Sequence, residues 1–175
     1  MASPVLQALR AGTRQQHEEL EAITLGDRIV DGSLTVADYR RLVDWQRRAH
    51  QALEPGIQHF SLGDYTYRER FPAVTASTLS TTDLATAAGT VYVLEGASLG
   101  GTTIYRKLLD NPALAGEQPF TFYRDQAEWG LVQWRRFVAA LDHHPFTPAE
   151  MKQAVRAAQD AFDTFARHWQ AGATD

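Results

Sequence analysis

A chain of 175 residues with 44% apolar and 22% charged side chains is one domain's worth of globular sequence. It is large enough to bury a core without disulfide or zinc staples and too apolar to be a mostly disordered polypeptide. Seventeen Lys and Arg against 21 Asp and Glu leave a formal charge of −4, without the cationic excess that a nucleic-acid binder needs. Cysteine is absent, which removes disulfides, thiolate zinc sites, cysteine nucleophiles and iron–sulfur clusters. The segment 1–10 has no basic region followed by an apolar stretch, and no run approaches the ~18 apolar residues of a membrane span. A soluble, cytoplasmic domain over 1–175 is the expectation.

Taken in chain order, the elements read as helices. Ser3 and Pro4 open a helix that runs to about Ile23, with Val5, Leu6, Leu9 and Leu20 at helical spacing. Gly26, Asp31, Gly32 and Ser33 supply turn chemistry around a short apolar island. Thr35, with Asp38 three residues on, opens a second helix that lasts to Pro55-Gly56. Residues 57–82 read as a loop around Gly63 and then a helical piece interrupted at Pro72. Ser80, Thr81, Thr82 and Asp83 offer caps for a long helix over about 83–110, ending at Asn111-Pro112. A further helix covers about Arg124 to Leu141. Thr147, Pro148 and Glu150 start the last, which runs to about Gln170. Strand-length alternation and internal repeats are absent, so the fold class is all-α, with five or more helices in one domain.

The third long helix contains Gly89, Gly96, Gly100 and Gly101, each costing about 0.8–1 kcal/mol relative to alanine. Gly96 and Gly100 share a face, where a bare backbone admits either a flat ligand or a closely packed helix; adjacent Gly100-Gly101 permits a kink. In the first helix His17 falls on the side of Leu6, Leu9, Thr13 and Leu20. An inward imidazole needs a partner for each nitrogen, and Glu21 can serve one of them. The other nitrogen is then either satisfied in the core or free to ligate a metal. Arg10, two turns earlier, can meet an anionic group beside it. The other histidines, 50, 59, 143, 144 and 168, form no Glu-x-x-His pair of the ferritin type. No nucleophile elbow, P-loop or dinucleotide fingerprint occurs. Trp45, Trp129, Trp134 and Trp169 read as core, and Arg135-Arg136 as either solvated surface or an anion contact.

The run Tyr92-Val93-Leu94-Glu95-Gly96-Ala97-Ser98-Leu99-Gly100-Gly101 resembles the distal-helix signature of bacterial haem oxygenases. Leu9-Arg10-Ala11-Gly12-Thr13-Arg14-Gln15-Gln16-His17 resembles their proximal helix, and Trp134-Arg135-Arg136-Phe137 a later one. The resemblance spans most of the chain, and two motifs at the family's separation are more specific than either alone. It implies a helical bundle with haem sandwiched between a proximal N-terminal helix and a glycine-kinked distal helix. His17 would be the axial iron ligand and Glu21 its partner; Gly96 and Gly100 would form the distal wall. Arg10, Tyr92 and Arg135 or Arg136 would meet the haem propionates.

The implied reaction consumes dioxygen and electrons and turns haem, both cofactor and substrate, into biliverdin, ferrous iron and carbon monoxide. The electrons would come from a ferredoxin, a flavodoxin or a reductase, and the biliverdin could pass to a bacterial phytochrome. The sequence departs from animal members at Ala97, where they carry an aspartate. Ser98 is a candidate contributor to proton delivery in its place, and equally can bond its own helix carbonyl. A haem carrier or sensor using the same pocket is the rival reading. A thiamine-type hydrolase on a related helical fold would lack its usual cysteine nucleophile.

Overall fold

The computed structural model of the chain describes residues 3–71 and 82–172. Within these, the all-α expectation holds: helices α1 (Pro4–Ile23), α2 (Gly26–Val30), α3 (Val36–Leu53), α4 (Leu84–Leu99), α5 (Gly101–Leu109), α6 (Thr121–His143) and α7 (Pro148–Ala171) carry the fold. The helix starts follow their sequence signals. Thr35 Oγ1 accepts from the Asp38 amide while the Asp38 carboxylate accepts from the Thr35 amide, a complete capping box. Thr147 and Glu150 repeat it at α7. Of the candidate caps for α4, Asp83 takes the place, accepting from the Thr86 amide; Ser80 and Thr81 lie outside the described residues. Replacing Thr147 with alanine is expected to cost about 1 kcal/mol, read as a lowered urea midpoint at unchanged slope.

Four local features differ from the sequence expectation. The island after α1 is itself helical, as α2. Around Gly63 the chain forms a two-stranded hairpin, β1 (Ser61–Leu62) and β2 (Tyr65–Thr66), with Leu62 opposite Tyr65. Gly63, at φ +54°, is the first residue of the two-residue turn, where a primed hairpin turn needs a left-handed residue. The stretch 67–71 is not helical, and the expected break at Pro72 lies outside the described residues. Finally, the expected long helix divides at Gly100 into α4 and α5, as the adjacent glycines permit.

α7 is the spine of the bundle: α1, α3 and α4 all pack on it, while α4 and α5 also pack on α6. Contacts along α7 give direction. Gln159 Nε2 donates to the Gly12 carbonyl and the His17 ring meets Phe162, while Gln153 donates to Thr86 and Gly89 abuts Ala154 and Ala157. Residue numbers rise together in both sets, so α1 and α4 run in the same sense along α7. Trp45 ties α3 to α7 through a 2.7 Å bond from its Nε1 to the Phe165 carbonyl.

His50, in the last turn of α3, is 1% exposed, ringed by Phe71, Phe122 and Phe165, and bonds the Gln46 carbonyl through Nδ1 at 2.7 Å. Burial lowers its pKa to about 3, with the nearby Arg70 charge adding to the effect. The unfolded chain, with a histidine near 6.5, therefore binds the extra proton between pH 6.5 and 3. The stability contribution is complete above pH 6.5 and is lost as pH falls, with a slope of up to about 1.4 kcal/mol per pH unit. Denaturant unfolding at pH 7 and 4.5 should show a shallower acid limb for His50→Leu than for the wild type. Equal pH dependence of the two chains would contradict this account.

Candidate functional site: the opening between α1 and α4

Tyr92 of α4 lies near Thr13 and Arg10 of α1, close enough for both to act on its phenol. Burial raises the Tyr92 pKa; Thr13 and the Arg10 charge offset part of the rise. Beyond this contact the helices part. α1 stays with α7, so that one turn on, His17 sets its ring edge-on to Phe162 at 5.9 Å between centroids. α4 moves onto α6, crossing it where Ser98 lies against Gly130, and α5 follows with Gly101 against Gln126. His17 and the part of α4 beyond Tyr92 are therefore held by different helices, α7 and α6.

The glycines of α4 and α5 separate into two kinds. A Cβ on Gly89 would drive into the carbonyl of Ala154 and sit 3.0 Å from the Ala157 Cβ, and one on Gly101 would sit 2.7 Å from the Gln126 Cβ. These glycines exist for close helix packing. Gly96 and Gly100 do not. A Cβ on Gly96 would meet only the Trp134 ring edge at 3.9 Å, and one on Gly100 only Ala97 O and Ile104 Cδ1 at 3.8 Å. Among the described residues, no neighbouring helix packs closely against their bare backbone. Trp134, expected in the core, is half-buried and borders this face, its ring 5.9 Å from that of Tyr92.

His17 is not the inward residue that its spacing suggested. Its side chain is 57% exposed, because the apolar stripe of α1 is covered through Leu9 and Thr13 and then runs out beside the opening. Glu21 Oε2 stands 3.7 Å from Nδ1, on the side expected, at ion-pair rather than hydrogen-bond range. Arg10 is exposed at the mouth. Arg135 is exposed on α6. Arg136 lies about 200° around α6 from Trp134 and lines a different cavity with Leu62, Gly63, Asp64 and His143. The structure thus does not bring Arg136 to the residues around Tyr92. Ser98 also points elsewhere: its Oγ is buried and donates to the Leu94 carbonyl at 3.2 Å. Ala97 is exposed and brings no acid.

Sequence reasoning missed a buried polar cluster behind α4. Glu95, the one charged residue in α4, is fully buried, paired with Arg70 at 2.9 Å and accepting from the Tyr65 hydroxyl. Arg70 also donates to Ser98 Oγ at 3.2 Å. Burial, then the Glu95 charge, push the Tyr65 phenol well above its ordinary range, so it remains a donor. Glu54 accepts from the Tyr67 hydroxyl at 2.9 Å and from the amides of Arg70 and Phe71 at 2.6 and 3.1 Å. Burial raises the Glu54 pKa, partly offset by these donors. The available signal was a lone carboxylate in an otherwise apolar helix, which has to be paired when buried.

The bundle thus carries an exposed histidine on α1 and, on α4, two glycines whose bare backbone no close packing contact requires. A family model described as heme oxygenase matches residues 74–171. The chain belongs to the heme oxygenase family. The match covers α4 to α7, including the glycine face, and leaves α1 with His17 to be argued from the structure. No match was found among curated proteins or among solved structures. Among the described residues, no helix is long and apolar enough to cross a membrane.

Proposed function

We propose that this protein cleaves haem to biliverdin, ferrous iron and carbon monoxide, using dioxygen and electrons from an external donor. The observation that carries this reading is an exposed His17 on α1 together with the bare Gly96–Gly100 face of α4. The residues fit the group. A macrocycle needs a wall without side chains, which Gly96 and Gly100 supply, and an imidazole nitrogen free of protein partners, which His17 Nε2 supplies once Nδ1 turns to Glu21. Bound haem would contribute the iron that activates dioxygen; everything else is the task of the protein.

His17 would hold the ring by its iron, with Glu21 fixing the imidazole tautomer and orientation. Arg10 and the Tyr92 hydroxyl, at the closed end, would take the propionates, and Arg135 stands as a further cation on α6. Trp134, beside Tyr92, and Phe162, beside His17, would exclude water at the two flanks. With Ala97 and a Ser98 turned away, protons on the glycine face would be held by backbone groups and the water they bind. The charge needed for reduction has no carrier among the motifs of the chain, so a ferredoxin, flavodoxin or reductase would deliver it. The product would serve iron release or supply a chromophore to a phytochrome.

The test mixes purified protein with hemin and follows the spectrum after ascorbate or a ferredoxin system is added. Loss of the Soret band with growth of a biliverdin band is the expected result. A stable Soret band would favour the carrier or sensor, and no Soret shift would overturn both.

A further inference from the structure

The strongest feature outside the proposed haem contacts is the cluster centred on Arg70. Its side chain is 1% exposed, and its backbone is held from behind by Glu54. The guanidinium reaches α4 at Glu95 and Ser98, three residues apart and so on one face. Gly96 lies about 100° from Glu95 and 200° from Ser98 around the helix. Arg70 therefore grips the side of α4 that faces away from the opening. It does so in the stretch between the Tyr92 contact and the break at Gly100, where α4 leaves α7 for α6. Ser98 is also the residue that abuts Gly130 at the α4–α6 crossing. Trp129, one residue before Gly130, stacks under the guanidinium at 4.9 Å.

A buried ion pair is seldom more stabilising than apolar residues of the same volume, because desolvation offsets its attraction. What the cluster supplies is direction: a planar guanidinium with fixed donors locates Glu95 and Ser98 relative to the hairpin and α6. We propose that Arg70, acting through Glu95 and Ser98, is a positioning residue that sets the tilt of the Gly96–Gly100 face over the opening. It deepens the haem-cleavage reading and rests on it. A misplacement of about 1 Å at such a wall can cost as much as about 100-fold in rate with little change in ground-state binding.

The test replaces the polar cluster by apolar residues of similar shape, as the triple variant Tyr65→Phe, Arg70→Met, Glu95→Leu. Hemin affinity is measured by Soret titration, turnover with a saturating donor, and stability by denaturant unfolding. Stability and hemin Kd within about threefold of wild type, with turnover down at least about tenfold, are expected. Ser98→Ala alone should lower turnover by a few-fold, and should add nothing in the triple background, because both act through the same contact. Wild-type turnover in the folded triple variant would overturn the proposal, as would parallel loss of hemin affinity and rate. Should the triple variant not fold, Ser98→Ala and Arg70→Lys decide, and wild-type kinetics in both would overturn it. Failure of the wild-type chain to consume hemin would instead overturn the haem-cleavage reading itself.

Discussion

Replacing His17 with alanine is expected to remove the axial ligation of added hemin and to lower turnover by at least about 100-fold. The fold should barely notice. The side chain is more than half exposed and its one packing contact is an edge-on approach to Phe162, so the change in unfolding free energy should stay within about 0.5 kcal/mol. Soret titration and denaturant unfolding of the same preparation separate the two effects. Added imidazole should restore part of the ligated spectrum, because the cavity left by the side chain opens onto solvent. Undiminished turnover in His17→Ala would show that the ligand lies elsewhere.

Two glycine substitutions seven residues apart on α4 should move stability in opposite directions. Gly89→Ala places a methyl against the Ala154 carbonyl in the α4–α7 contact, and backbone has no rotamer with which to yield. A loss of about 3 kcal/mol is expected, with loss of activity following unfolding. Gly96→Ala meets nothing closer than the Trp134 ring edge at 3.9 Å. The helix should gain up to about 1 kcal/mol from the better helix former. Turnover should nevertheless fall, because the new methyl stands on the face proposed to lie over haem. The larger Gly96→Leu should weaken hemin binding by about 10- to 100-fold, equivalent to about 1–3 kcal/mol of overpacking. A stabilised Gly96→Ala with wild-type kinetics would contradict the assignment of that face. A glycine where alanine would be more stable would then be the stability cost of a bare ligand surface.

Local chemistry carried much of the fold into the sequence. Capping residues at Thr35 and Thr147, Pro148 at the first position of α7 and the Asn111-Pro112 stop are side chain–backbone interactions within a few residues, so they read directly. The hairpin around Gly63 did not, because two residues per strand give no alternation to detect and it is held by distant segments, α6 and Glu95 of α4. The site was legible in its parts. His17, Glu21, Gly96 and Gly100 were marked by residue type and spacing, and Tyr92 by the resemblance to bacterial haem oxygenases.

Their arrangement was not. The spacing of α1 placed His17 inward, yet burial depends on what a neighbouring helix covers, and α4 has already turned onto α6 at that level. Four glycines in one stretch look alike in sequence; only the positions of α6 and α7 make Gly89 and Gly101 packing residues and leave Gly96 and Gly100 bare. Arg70 and Glu95 are 25 positions apart, with no local relation to mark them as partners. By itself, then, the sequence determined most of the helices and where they start, because those follow from short-range chemistry. Which glycine faces a helix and which faces an opening, and which arginine holds α4 from behind, only the tertiary structure decided, because those depend on where distant segments come to rest.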